Sequence, residues 1–351
     1  VSFEDPIRKL VNMKTHLSKV NLLGISLPSI ISTLLLLTPW LANAADEKKA
    51  EPAKSVVSLP QANPAGRWET SFPKIESGKW AGPKLPDGQP NVSGYWSNTI
   101  ANHNNFTDPQ GGVPNDPAPN RRPTNSREER APSRVSDTVD GQLPLQPWAL
   151  AKVKEFQIGF HNPTEQRFVE PLARCAPAGV PKSFYWHGYE VAQYPGYVVF
   201  FFESGTRIVH LDDKKPHLPD NIKLWNGDSR GHWEGNTLVV DVSNLNGKAL
   251  FGRSGEFISE NAHVQEKYIF DNNGSRYNYE AVITDPTVYT RPFTVTVPAR
   301  KYTEKDAPVG WHFTVAAAKN AGKDLIYEKY ERVCTENNGG FGLGAAETAK
   351  K

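Results

Sequence analysis

From Tyr189 onward apolar and polar positions alternate with a period of two, in runs rich in β-branched and aromatic residues. The runs YEVAQ, YVVFFFE, RIVHLD, SRGHWE, TLVVDVS, HVQEKYIF, RYNYEAVI, PFTVTVPA, WHFTVAAA and DLIYEKYERV predict about ten short strands, separated by Asn-Gly, Gly-Asn and Pro-containing turns. A meander of that many strands must curl or fold back to hide its apolar face. The expected class is therefore mainly β, an antiparallel barrel or sandwich. One helix is predicted over Leu145–Phe156, with Pro147 in its opening turn and Trp148, Ala151, Val153 and Phe156 along one side.

Two hairpins can be read residue by residue. A two-residue turn at Gly235-Asn236 pairs Glu234 with Thr237, Trp233 with Leu238, His232 with Val239 and Arg230 with Asp241. Trp233, Leu238 and Val240 then share the core face. Arg230 and His232 lie on the other face with Asp228, as a solvated charge pair or as groups converging on a cavity. A turn at Asn273-Gly274 pairs Phe270 with Tyr277, Tyr268 with Tyr279, Lys267 with Glu280, Glu266 with Ala281 and Val264 with Ile283. This register puts Glu266 on the apolar face and His263 on the opposite one. A core-facing acid needs a partner, either as a general acid or base or as a member of an inward network with an Arg or Tyr.

Before the strands the chain is different in character. Met13 opens a stretch with Lys14 and Lys19, an apolar run from Leu22 to Leu41, and Ala42-Asn43-Ala44, the layout of a secretory leader removed after Ala44; residues 1–12 read as an upstream extension. Residues 45–63 read as a flexible linker and 64–147 as a Pro/Gly-rich arm pinned on the domain by Trp68, Trp80, Tyr95 and Trp96. Within that arm, 115–140 reads as a solvated loop. The β domain is expected over 148–338, followed by a disordered tail at 339–351.

Charge narrows the partners. Loss of 1–44 removes Arg8, Lys9, Lys14 and Lys19 against Glu4 and Asp5, leaving 36 positive and 36 negative side chains of the original 40 and 38. A neutral chain without a basic stripe has no long-range hold on phosphate backbones, so nucleic acid is not an expected partner. A retained membrane anchor is not expected either, because Ser26, Pro28, Ser29 and Ser32 dilute the apolar run and no basic stop-transfer cluster follows it, so no stable membrane insertion is expected after leader removal. The two cysteines, Cys175 and Cys334, are expected to form a disulfide in an oxidising compartment, closing a loop that contributes up to about 4–5 kcal/mol in the chain-entropy model.

No cofactor or metal motif is present. His210, Asp212 and His217 carry ligand-type side chains, but their spacing fits no tight template, and there is no phosphate loop, dinucleotide fingerprint or His-Glu-x-x-His. YWHGYE at 185–190 and DPTVYTRPF at 285–293 supply side chains with an apolar body and a polar tip, suited to a pocket for a flat or amphipathic ligand.

The runs PDGQPNVSGYW (86–96), CAPAGVP (175–181), PGYVVFFFE (195–203), PHLPDNIKLWNGDSRGHWEGNTLVVDV (216–242) and DPTVYTRPF (285–293) resemble a family of secreted bacterial β-rich proteins without an assigned activity. The resemblance implies export and a β-rich fold, and it transfers no catalytic residue. That family often ends in Cys-His-Glu where this chain has Cys334-Thr335-Glu336. Gly94-Tyr95-Trp96 is also similar to the Gly-x-Trp opening of lipocalin barrels, which implies a lipocalin-like barrel.

Three functions fit these residues. The first is an exported barrel that binds a small, largely apolar or aromatic molecule, with Tyr268, Tyr279, Trp233, Tyr289 and Arg291 as ligand-binding residues. The second is a cofactor-independent isomerase, hydratase or hydrolase using Glu266 as acid or base, with Arg230, His232 or Tyr279 stabilising charge. The third is a cell-envelope interaction module built on the arm. The sequence leaves open whether the protein is an enzyme.

Overall fold

The computed structural model describes residues 74–97, 106–109, 113–114, 131–184, 188–202, 205–212 and 214–301. The runs WHFTVAAA and DLIYEKYERV, Trp68, Cys334 and the leader lie outside the described residues.

Among the described residues nine strands form a closed barrel: β1 (Gly94–Ser97), β2 (Tyr189–Tyr194), β3 (Tyr197–Phe202), β4 (Gly205–His210), β5 (Asp228–Glu234), β6 (Thr237–Ser243), β7 (His263–Phe270), β8 (Arg276–Thr284) and β9 (Phe293–Lys301). Sequence neighbours pair antiparallel, and β1 closes the cylinder against β9, with Trp96 opposite Lys301. The exception is β4 and β5. These run parallel, joined by a long crossover, and share the single register pair His210 with Arg230. The barrel is thus mixed rather than wholly antiparallel, and its wall has one thin seam. Every pair expected for the two hairpins is present.

The Pro/Gly-rich stretch contributes part of the wall. Its four-residue strand β1 buries Trp96 completely against Tyr277 and Phe270, with ring centroids 5.0 and 5.6 Å away. The end of the expected solvated loop also differs from expectation. Val135 bridges to Val295, Thr296 N–H donates to Arg134 O (2.7 Å), and Arg134 is fully buried. The sequence there reads as polar because the backbone, and not an apolar run, makes the attachment.

The helix α1 spans Pro147–Phe160, starting at its proline and running one turn further than expected. It packs through Ala149, Val153, Phe156 and Phe160, while Trp148 and Ala151 face outward. Trp148 is instead held at its polar tip, where Nε1–H donates to Thr287 O (3.1 Å).

The arm docks on the β5–β6 turn. Asn236 N–H donates to Gly78 O (2.9 Å), and its side chain accepts from Gly78 N–H (2.7 Å) and donates to Glu76 O (3.0 Å) and Phe270 O (2.6 Å). Gly235 has φ +60, and any Cβ there would run into the Gly78 carbonyl. Gly235→Ala is therefore expected to cost about 1–2 kcal/mol from left-handed backbone alone, and to free the arm. Urea unfolding should report the loss, and limited proteolysis should report faster cleavage around 74–80; an unchanged digest would mean the arm is held elsewhere.

Candidate functional site

The alternation that builds the wall also fills the interior. Val264, Glu266, Tyr268 and Phe270 of β7 point inward beside Tyr277, Tyr279, Ala281 and Ile283 of β8, and all are buried. Glu266 is fully buried at the centre. Its partner comes from across the barrel, from β4. Arg207 Nη1 and Nη2 donate to Glu266 Oε1 and Oε2 at 2.9 and 2.5 Å, and Tyr279 Oη donates to Oε1 at 2.6 Å. Arg207 also donates from Nη1 to Tyr268 Oη (3.1 Å) and from Nε and Nη2 to Ser229 Oγ (3.1 and 2.9 Å). All five guanidinium N–H groups are thereby used.

Burial alone disfavours the Arg207 cation, but the facing Glu266 carboxylate outweighs it and holds the guanidinium above its ordinary pKa. Burial, reinforced by the Glu266 charge, pushes the Tyr268 and Tyr279 phenols well above theirs. Both hydroxyls stay neutral, Tyr279 donating to Glu266 and Tyr268 accepting from Arg207. Chemically the centre is a satisfied ion pair, its carboxylate clamped by a bidentate Arg and a Tyr.

Around this pair stand aromatic rings. Phe184, from a 3-10 turn at Lys182–Phe184 just before β2, inserts among them. It stacks on Tyr279 at 4.6 Å and meets Phe202, Phe200 and Tyr268 edge-on at 5.0–5.1 Å, with Tyr189 at 5.8 Å. The Arg207 guanidinium carbon lies 5.4 Å from its ring centre, a cation–π contact. Tyr277, whose ring lies 5.8 Å from that of Tyr268, has a buried hydroxyl with no hydrogen-bond partner among the described residues.

Of the residues expected at a site, Glu266, Tyr268 and Tyr279 come together here. Trp233 sits near the β5–β6 turn, its ring 5.9 Å from Phe270 and its Nε1–H 3.4 Å from Gln89 Oε1. Tyr289 is buried at the opposite end of the barrel, donating to Phe257 O (2.7 Å), and Arg291 is largely exposed beside Asp137 (3.4 Å). Arg230 and His232 project from the outer wall, away from Glu266. His232 pairs with Glu234 at 2.9 Å. Arg207 was not singled out by sequence reasoning, although the alternation that turns Val209 inward in RIVHLD turns Arg207 inward too.

A second polar cluster lies outside, over the β4–β5 seam. His217, on the crossover, places Nδ1 2.9 Å from Asp228 Oδ2 and Nε2 2.8 Å from Asp241 Oδ1. His263 reaches Asp241 Oδ2 (2.7 Å), and Arg230 Nε donates to Asp228 (3.0 Å). Burial would raise the Asp228 carboxyl, but the hydrogen bonds from Arg230 and His217 win and hold it below its usual value. His210 and Asp212 do not join His217: His210 lies against Tyr197, and Asp212 pairs with Lys215. Among the described residues no group of three or more His, Cys, Asp or Glu is arranged to hold a metal ion. No described helix is long and apolar enough to cross a membrane. Comparison with protein families, curated proteins and solved structures finds no match to this chain.

Proposed function

We propose that the barrel binds a small, flat, largely apolar molecule at its centre, in the seat that Phe184 fills. The carrying observation is that this ring belongs to none of the barrel strands and is set by a short buried turn into a ring of aromatics beside a guanidinium. A ligand ring stacked in that seat has the same faces to meet. The unpartnered Tyr277 hydroxyl favours a molecule with a hydrogen-bond acceptor on its edge. Acid–base catalysis at Glu266 has less support, because that carboxylate is already saturated by Arg207 and Tyr279. Export with leader removal after Ala44, the Cys175–Cys334 disulfide and kinship with the secreted β-rich family belong to the same proposal.

Thermal shift with phenol, toluene and 2-naphthol tests it. Wild type is expected to gain stability from 2-naphthol, about 2.7 kcal/mol at a hundredfold excess over Kd. Phe184→Ala should bind more tightly, and Tyr277→Phe should lose the preference for phenol over toluene. A wild-type protein that none of these compounds stabilises, beside a Phe184→Ala variant that takes phenol and toluene alike, would reduce the interior to an ordinary core.

A further inference from the structure

The crossover between β4 and β5 is held to the wall by two different means. Its later part hangs on Asn244, whose side-chain amide donates to Leu218 O (3.0 Å), Pro219 O (3.1 Å) and Ile222 O (3.0 Å). Leu224 N–H donates in turn to Asn244 O (2.8 Å), and Asn246 N–H to Leu224 O (3.0 Å). Amides do not titrate, so this half is indifferent to pH. The earlier part, 214–217, contains Pro216, which has no N–H to give. It is tied down by the His217 ring, beside which Leu218 N–H donates to Asp228 Oδ2 (3.2 Å).

His217 stands between two carboxylates on neighbouring strands. Nδ1 lies 2.9 Å from Asp228 Oδ2 on β5, and Nε2 lies 2.8 Å from Asp241 Oδ1 on β6. A carboxylate oxygen only accepts, so both ring nitrogens must carry hydrogen, and the ring that fills both contacts is the imidazolium. Burial opposes the Asp228 charge, but the hydrogen bonds from Arg230 and His217 prevail and keep that carboxyl below its usual value. The remaining charged groups nearby have other engagements. His263 of β7 takes the second Asp241 oxygen (2.7 Å), which joins two strands and not the crossover. Asp212 pairs with Lys215 (2.9 Å), the His210 ring lies against Tyr197 (5.2 Å), and Lys214 and Asp220 are exposed.

We propose that His217 is a proton-dependent clip: as the imidazolium it staples 214–217 across β5 and β6, and on losing a proton it frees them and the Leu218 N–H, while Asn244 keeps the later part in place. A neutral ring has one N–H. Its other nitrogen would then present a lone pair to a carboxylate oxygen less than 3 Å away, turning that contact from attractive to repulsive. Imidazole changes charge between about pH 5 and 8, so the clip is closed on the acid side and opens as pH rises.

Amide exchange followed by NMR at pH 5 and pH 9, corrected for intrinsic rates, tests the clip without any ligand. Leu218 N–H is expected to lose protection about tenfold at pH 9, the effect of one charge-assisted hydrogen bond, while Leu224 and Asn246 N–H keep theirs. His217→Gln should make Leu218 exchange fast at both pH values, and His263→Gln should leave the contrast intact. Ring-nitrogen spectra of the wild type give a second reading should His217→Gln disturb folding. Both His217 nitrogens are expected to carry hydrogen at pH 5, and the loss of one should coincide with the loss of Leu218 protection. Equal Leu218 protection at pH 5 and pH 9, a single ring proton at pH 5, or a parallel loss at Leu224 and Asn246 would overturn the clip. So would a contrast that survives His217→Gln or vanishes in His263→Gln.

Discussion

Arg207→Met is expected to lower the unfolding free energy by about 3–5 kcal/mol, because it strands the Glu266 carboxylate without its cation in the barrel centre. Glu266→Gln should err in the same direction, leaving the guanidinium charged and partly unpaired. The double variant Arg207→Met/Glu266→Leu is expected to recover most of the loss, since two apolar side chains of similar volume replace the pair. A double-mutant cycle by urea denaturation measures this coupling. Strictly additive single effects would mean that the pair contributes nothing as a pair. Turnover of some substrate that vanishes in Glu266→Gln at unchanged melting temperature would instead restore the acid–base reading.

The second large effect concerns pH. Glu256 has its folded-state value raised from 4.5 to about 7, so the folded protein holds this proton more tightly than the unfolded chain does. Its contribution is fully present below about pH 4.5, shrinks as pH rises through about 7, and is gone above that. The difference corresponds to roughly 3 kcal/mol at the usual 1.36 kcal/mol per pH unit. Glu256→Gln should remove this slope and leave the variant more stable than wild type at pH 8. Urea midpoints at pH 5, 6, 7 and 8 check it; parallel curves for the two proteins would show that Glu256 titrates as an ordinary exposed acid.

Much of the barrel was legible because local rules fix it. The Gly235-Asn236 and Asn273-Gly274 turns set the register, and the period of two then forced Glu266 inward and His263 outward. What escaped depends on closure. Arg207 meets Glu266 only because β4 and β7 face each other across a cylinder, a relation no run of residues displays. Strand β1 has four residues among prolines and glycines, too few for a periodic signal. The sided reading of α1 placed Val153 and Phe156 on the covered side but misplaced Trp148 and Ala151, because apolar residues occur around its whole girth; which of them is covered was decided by the loop at 251–257 and by Phe168.

The β4–β5 seam has a consequence for solubility. One backbone pair joins these strands, and side chains hold the rest: Arg207 bridges to Ser229 on the inside, and His217 ties the crossover to Asp228 and Asp241 on the outside. If those ties fail, the cylinder opens there into a slab with two raw rims, each offering unpaired N–H and C=O groups to another chain. The buried ion pair therefore also guards against self-association, and variants that break it should be lost to precipitation as much as to unfolding.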